Sequence, residues 1–295
     1  DETRRDDVLD LTNLIENSIN PKEFFEENFV TEGMKLLFDT AFKRFHRQGA
    51  TGIVKLTQAM GGGKTHNMIA LGLLAKHPEH RTQLLGNEFR DSYVGKVKVV
   101  GFTGRESDAP YGIWGSIAEQ LGKKEVFKDY YSPLRAPGQK AWIDLLKGEP
   151  LLILLDELAP YLENAKSVSV GDSNLAVVTT TALANLFTAV NKEELSNVLV
   201  VVSDLKATYE SGSELLQSAF RELDSEINRS ALHIEPVGST SDEMYHILKK
   251  RLFEQLPSDD EIVEIANAYK QAVMEARQMG YTNMSPDKIF LGVRN

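Results

Sequence analysis

Two stretches, "LLILLDE" (Leu151 to Glu157) and "NVLVVVSD" (Asn197 to Asp204), each hold five consecutive apolar residues and then stop at polar or acidic ones. A strand with one wet face alternates apolar and polar residues, because successive side chains point to opposite sides. An unbroken apolar run suits a strand covered on both faces, as in a mostly parallel sheet with helices above and below. "GIVKLTQ" (Gly52 to Gln58) and "VKVVGFTG" (Val97 to Gly104) have the same character, and "ALHIEPV" (Ala231 to Val237) is a weaker fifth. Helical text lies between them: "THNMIALGLLAKHPEH", which Pro78 must end, and "YGIWGSIAEQLG" (Tyr111 to Gly122), stopped by glycine. The expected fold is a doubly wound, mostly parallel, five-stranded α/β sheet flanked by helices.

Around that core, residues 1–50 read as a largely helical segment, 51–238 as the α/β core, and 239–295 as the start of a helical lid. The lid candidates are "SDEMYHILKKRLFEQL" and "DDEIVEIANAYKQAVMEARQMG", after which "MSPDKIFLGVRN" stops without a closing element. The chain does not begin with Met, and both ends look cut, as in a fragment of a longer protein. "YLENAKSVSVGDSN" (Tyr161 to Asn174) reads as a polar, mobile connection, with a partner- or pore-facing loop as the alternative. The basic text "FKRFHRQ" (Phe42 to Gln48) reads as a solvated helix face.

The absence of cysteine excludes disulfides, thiolate zinc sites and cysteine nucleophiles. No apolar run approaches the roughly 20 residues of a membrane span, and "DETRRDD" is no signal peptide, so a cytoplasmic protein is expected. A net charge of −10 argues against strong duplex DNA binding by this chain alone, and leaves a weak or partner-assisted contact open. His77 and His80 in "HPEH" have ligand-like spacing, but Pro78 breaks the helix that would align their rings.

The chemistry centres on "KLTQAMGGGKTHNMIA" (Lys55 to Ala70). Glycines between a strand and a helix let backbone N–H groups turn toward an anion, and the helix N-terminus adds its positive end. Gly61, Gly62, Gly63, Lys64 and Thr65 supply the anion-contacting end of a phosphate-binding loop, and His66 is counted with them. Lys64 would neutralise β- and γ-phosphate charge, and Thr65 would ligate Mg²⁺. Gln58 stands where the usual pattern has its first glycine, and a flexible turn beside a lysine is the alternative. "LLILLDE" places Asp156 and Glu157 at the carboxyl end of a buried strand, where open α/β sheets bind ligands. Asp156 is suited to hold Mg²⁺ through water, and Glu157 to polarise a water attacking the γ-phosphate. That pair argues against a small-molecule kinase, which needs no activated water. At the end of "VLVVVSD", Ser203 or Asp204 is a candidate contact to the γ-phosphate or the water, with Ser203 better placed. Arg229 and Arg221, just before the fifth strand, are candidates for an arginine that completes a neighbouring subunit's site.

Taken together these residues resemble the AAA+ branch of P-loop ATPases. "FVTEGMKLLF", "QAMGGGKTHNMIALGLLAKHP", "YGIWGSIAEQLG", "LLILLDELAPYLENA" and "RELDSEINRSALHIEPV" look more closely like the large ATPases of bacterial anti-phage islands, including BREX-type phage-exclusion systems. The resemblance runs from about Phe29 to Arg294. It implies ATP and Mg²⁺ as ligands through Lys64 and Thr65, and hydrolysis through Asp156 and Glu157. It also implies that the chain is the N-terminal ATPase portion of a much longer protein. The expected partners are other phage-defence proteins, DNA reached through the complex, and further copies of the full-length protein, with no membrane. A nucleotide-gated scaffold with little turnover is the competing expectation.

Overall fold

Each of the five apolar runs is a strand in the structure, a computed structural model that describes residues 9–57, 63–82, 95–105, 108–203, 221, 223–225, 227–238, 242–252 and 258–294. They are β1 (Ile53–Leu56), β2 (Lys98–Thr103), β3 (Leu151–Asp156), β6 (Val198–Ser203) and β7 (Leu232–Ile234). A separate two-stranded hairpin, β4 (Ser169–Val170) and β5 (Ser173–Asn174), comes between β3 and β6 in chain order. The main sheet runs β2-β3-β6-β1-β7, and every neighbouring pair is parallel.

Alternation along the strands explains why their sequences are apolar throughout. Leu151, Ile153 and Leu155 of β3 enter one core with Val198, Val200 and Val202 of β6. Leu152 and Leu154 enter a second core on the opposite face with Leu199 and Val201. The first core is closed by the helices Gly112–Gln120, Gln139–Leu146, Leu158–Ala165 and Leu175–Val190. The second is closed by α1 (Leu11–Ile15), α2 (Pro21–Glu27), α3 (Glu32–Phe45) and α4 (Lys64–Lys76). The chain is thus an α/β protein whose five-stranded parallel sheet is sandwiched between helical layers.

The edge strand β2 is blunted by a side chain. Gln120 donates from Nε2 to the Gly101 carbonyl (2.8 Å) and accepts from the Gly101 N–H at Oε1 (2.9 Å), standing in for a neighbouring strand.

Two expectations need correction. The segment from Tyr161 to Asn174 is no loose connection: Tyr161–Ala165 finish a helix, and the rest forms the β4–β5 hairpin, which Leu175 ties back by donating to the Val168 carbonyl. In "FKRFHRQ", Arg44 is not solvated. It is buried, and its guanidinium donates to the carbonyls of Val198, Val190, Leu195, Gly49 and Ala50 at 2.7–3.3 Å. Burial, and then the nearby Arg47 charge, lower its pKa from the ordinary guanidinium value. Helical periodicity marks Arg44 as polar and cannot show that two carbonyls before β1, and three between the end of the helix Leu175–Val190 and the first residue of β6, turn toward it.

The chain divides into two compact units, Asp1–His246 and Ile247–Asn295. In the second, the helix Asp259–Gln278 opens on a Ser258–Glu261 capping box and closes before Gly280, whose φ is 79°. "MSPDKIFLGVRN", read above as lacking a closing element, contains the helix Pro286–Arg294, and Asp287 there pairs with Lys270 at 2.8 Å. No helix among the described residues is long and apolar enough to cross a membrane.

Replacing Arg44 with Met keeps the aliphatic stem and removes five donors, leaving buried carbonyls unpaired. We expect a loss of about 3 kcal/mol in urea or guanidinium unfolding. A loss under ~1 kcal/mol would mean those carbonyls find other partners.

Candidate functional site

Because the sheet is parallel, the carboxyl ends of all five strands meet at one edge. Thr103 is in register with Asp156, and Leu56 with Ser203, so β2, β3, β6 and β1 end in line. β6 lies between β1 and β3. The segment after β1 must therefore reach across one strand to meet the acids of β3.

It does so through α4. Gly63 is left-handed (φ 80°), a conformation that costs glycine nothing, and it opens the helix at Lys64. Asn67, buried one turn on, donates to the Gly63 carbonyl from both its backbone N–H and its side-chain Nδ2, each at 2.9 Å. Thr65, in the first turn, donates from Oγ1 to Asp156 Oδ2 at 2.5 Å. Asp156 is buried, and its other oxygen accepts the Glu157 N–H at 2.9 Å. Both carboxylate oxygens are thus held, one by α4 and one by its own chain.

Glu157 occupies the left-handed region (φ 49°, ψ 41°), uncommon for a residue with a side chain and costing roughly 1–2 kcal/mol. What holds it there is visible. Its N–H is shared between Asp156 Oδ1 and Ser203 Oγ, the latter at 3.2 Å. Its carbonyl rests against Gly104, where an added Cβ would lie 2.0 Å from that oxygen. Gly104 in turn donates to the Asp156 carbonyl at 3.0 Å. The Glu157 carboxylate pairs with Arg105 Nε at 2.9 Å. Both side chains are partly exposed, so that pair orients the carboxylate more than it stabilises the fold.

The structure thus brings together Gly63, Lys64, Thr65, Asp156, Glu157 and Ser203 at one edge. Gln58, Gly61, Gly62 and Asp204 lie outside the described residues. His66 follows Thr65 and stacks on Phe24 of α2, with ring centroids 4.7 Å apart, tying the start of α4 to the N-terminal helices. Arg221 and Arg229 are exposed, Arg229 within a helical run at 227–230. His77 precedes and His80 ends a short 3₁₀ turn (Pro78–His80), with His77 Nδ1 3.2 Å from Glu79.

Four residues escaped the sequence reading. Gly104 and Arg105 follow β2 in "FTGRESD", where a glycine closing a buried strand is the one available signal. Asn67 is four residues beyond Gly63, the spacing of a side chain that can reach back one turn. Lys55 is buried in β1, and its Nζ donates to Asp224 Oδ1 (2.9 Å) and Asn228 Oδ1 (3.0 Å) on the segment that also carries Arg229. Nothing in "GIVKLTQ" shows that partner.

Chemically, the edge offers a hydroxyl and a carboxylate oxygen within hydrogen-bond reach, hard donors of the kind Mg²⁺ selects. Beside them stand the N-terminus of a thirteen-residue helix with Lys64 in its first turn, and a second carboxylate on a strained corner.

Gly104→Ala tests that corner. We expect a loss of about 1–3 kcal/mol in chemical denaturation, because the new methyl meets backbone. Gly95→Ala, where a Cβ meets nothing within 4 Å and the backbone is not left-handed, should be close to neutral. Equal effects at both positions would show that the Glu157 corner is not tightly held.

Comparison with curated proteins returned no match. The family model described as the DUF499 N-terminal domain matches residues 7–95 and 105–239, which include β1, α4, β3 and β6. With most of its length matched, the chain belongs to the DUF499 N-terminal domain family.

Proposed function

We propose that this chain is a Mg²⁺-dependent, AAA+-like P-loop ATPase, the N-terminal part of a larger protein acting in bacterial anti-phage defence. The observation that carries the enzymatic part is the Thr65–Asp156 contact. It joins the residue after the loop lysine to the acid ending β3, across an intervening strand that supplies Ser203. A strand order with β6 between the glycine-run strand and the Asp-Glu strand also supports this reading. The defence role rests on the sequence resemblance. The matched family describes an N-terminal domain, which supports reading the chain as part of something longer.

Thr65 and Asp156 would hold Mg²⁺, with Asp156 acting through water, and Lys64 and the amides at the start of α4 would bind the phosphates. Bound Mg²⁺ supplies charge neutralisation for the γ-phosphate. Glu157 would accept a proton from the attacking water, and Ser203 fixes the Glu157 backbone from which that carboxylate projects. Arg229 remains the proposed arginine for a neighbouring subunit's site, with Arg221 as its alternative.

One observation favours the second reading, a scaffold that binds ATP with little turnover. The Glu157 carboxylate is engaged by Arg105 at Oε2, so the guanidinium competes with a proton for one of its two oxygens. In the proposed complexes, partner proteins or DNA would be what loosens that pair.

Lys64→Ala should weaken ATP binding at least ~10-fold by calorimetry, and Glu157→Gln should bind ATP and retain it. Unchanged affinity in Lys64→Ala would remove the loop from the site. Wild-type turnover no faster than Glu157→Gln under every partner condition would favour the scaffold. Arg105→Ala sharpens the choice: faster turnover identifies the ion pair as a restraint, and slower turnover identifies Arg105 as a participant.

A further inference from the structure

Lys55 stands inside β1, on the face that fills the first core. Ile53, two residues earlier on the same face, belongs to that core, and the Lys55 side chain is only 2 % exposed. An ammonium placed there loses its hydration, and a leucine or methionine would fill the space without that cost. What the lysine gains is directional contact. Its Nζ donates to Asp224 Oδ1 at 2.9 Å and to Asn228 Oδ1 at 3.0 Å, while Asn228 Nδ2 donates to Asp224 Oδ2 at 2.9 Å. The three side chains close a ring.

That ring sits on the helical run leading into β7, described at 223–225 and 227–230. Leu223 and Ile227, four residues apart, enter the first core. Asp224 and Asn228, the next pair at the same spacing, meet Lys55. The two rows act differently. Apolar contact is non-directional and tolerates a helix that slides or turns on the sheet. The ring tolerates neither, because Lys55 reaches both acceptors only when 224 and 228 face β1. Arg229 follows Asn228 directly and is exposed, so the ring fixes the backbone from which it projects. Beyond Lys55, the Thr57 N–H donates to the Ile234 carbonyl at 3.0 Å, joining the exit of β1 to the end of β7.

We infer that Lys55 is a positioning residue, which through Asp224 and Asn228 sets Arg229 for the ATP site of a neighbouring subunit. This rests on the reading above of Arg229 as the arginine lent to that site. An arginine that completes a site must meet developing charge in one geometry, and a shift of about 1 Å in a catalytic constellation can cost on the order of 100-fold in rate. Lys55 supplies that geometry from the strand that leads into its own subunit's glycine run. The arginine a subunit lends is thereby anchored to the sheet that carries the subunit's own site.

The test is complementation between two variants of the full-length protein. Arg229→Ala keeps an ATP site but lends no arginine, whereas Lys64→Ala binds ATP poorly but lends one. Mixed, they should hydrolyse ATP at least ~10-fold faster than either alone. Adding Lys55→Met to the Lys64→Ala subunit, the lender, should cut that gain at least ~10-fold. Adding it to the Arg229→Ala subunit should change the rate less than ~2-fold. A merely structural lysine would lower both mixtures alike, so the asymmetry is the diagnostic readout. Asn228→Ala, at an exposed position, carries the test if Lys55→Met fails to fold, with the same asymmetry and a loss of at least ~3-fold. Equal effects in the two mixtures, no effect in either, or a loss confined to the ATP-binding subunit overturns the inference and leaves the lent arginine standing. No gain on mixing, with wild type active, overturns the lent arginine itself and this inference with it.

Discussion

Burial of the parallel sheet on both faces is the constraint from which the rest of the molecule follows. With Leu, Ile and Val filling cores above and below, polar chemistry has no place along the strands except where a partner is supplied. Lys55 shows the exception, an ammonium inside β1 answered by Asp224 and Asn228. Polar groups are otherwise driven to the strand ends. There parallel order gathers Asp156, Glu157 and Ser203 at one edge.

At the carboxyl edge, the Asp156–Glu157 corner is held from several directions at once. Thr65 and the Glu157 N–H fix the carboxylate of Asp156. Ser203 and Gly104 fix the Glu157 backbone in a conformation it would not choose alone. Strain over-determined by its surroundings is what a preorganised site requires, since the acids need not reorganise when charge develops nearby.

How much of this was legible in the sequence depended on whether the signal was local. β3 and β6 were legible because a five-residue apolar run has one comfortable environment. The places of Thr65, Asp156 and Glu157 at the sheet edge were legible because motif spacing and strand ends are local properties. Arg44 and Lys55 were not, because a buried cation is explained by partners more than a hundred residues away. The left-handed Glu157 and its Arg105 partner were hidden for the same reason: they depend on β2 lying beside β3. The β4–β5 hairpin was missed because its strands are two residues each, so the alternation in "SVSV" is too short to tell from a loop.

The Mg²⁺ dependence of ATP binding, measured by calorimetry on wild type and Thr65→Val, bears most directly on the Thr65–Asp156 corner. Valine keeps the shape of threonine and removes the hydroxyl. A metal held between Thr65 and Asp156 predicts that Mg²⁺ strengthens wild-type binding by ~10-fold or more, and that Thr65→Val loses most of that gain. No ATP binding by wild type, or equal Mg²⁺ enhancement in both proteins, would contradict it.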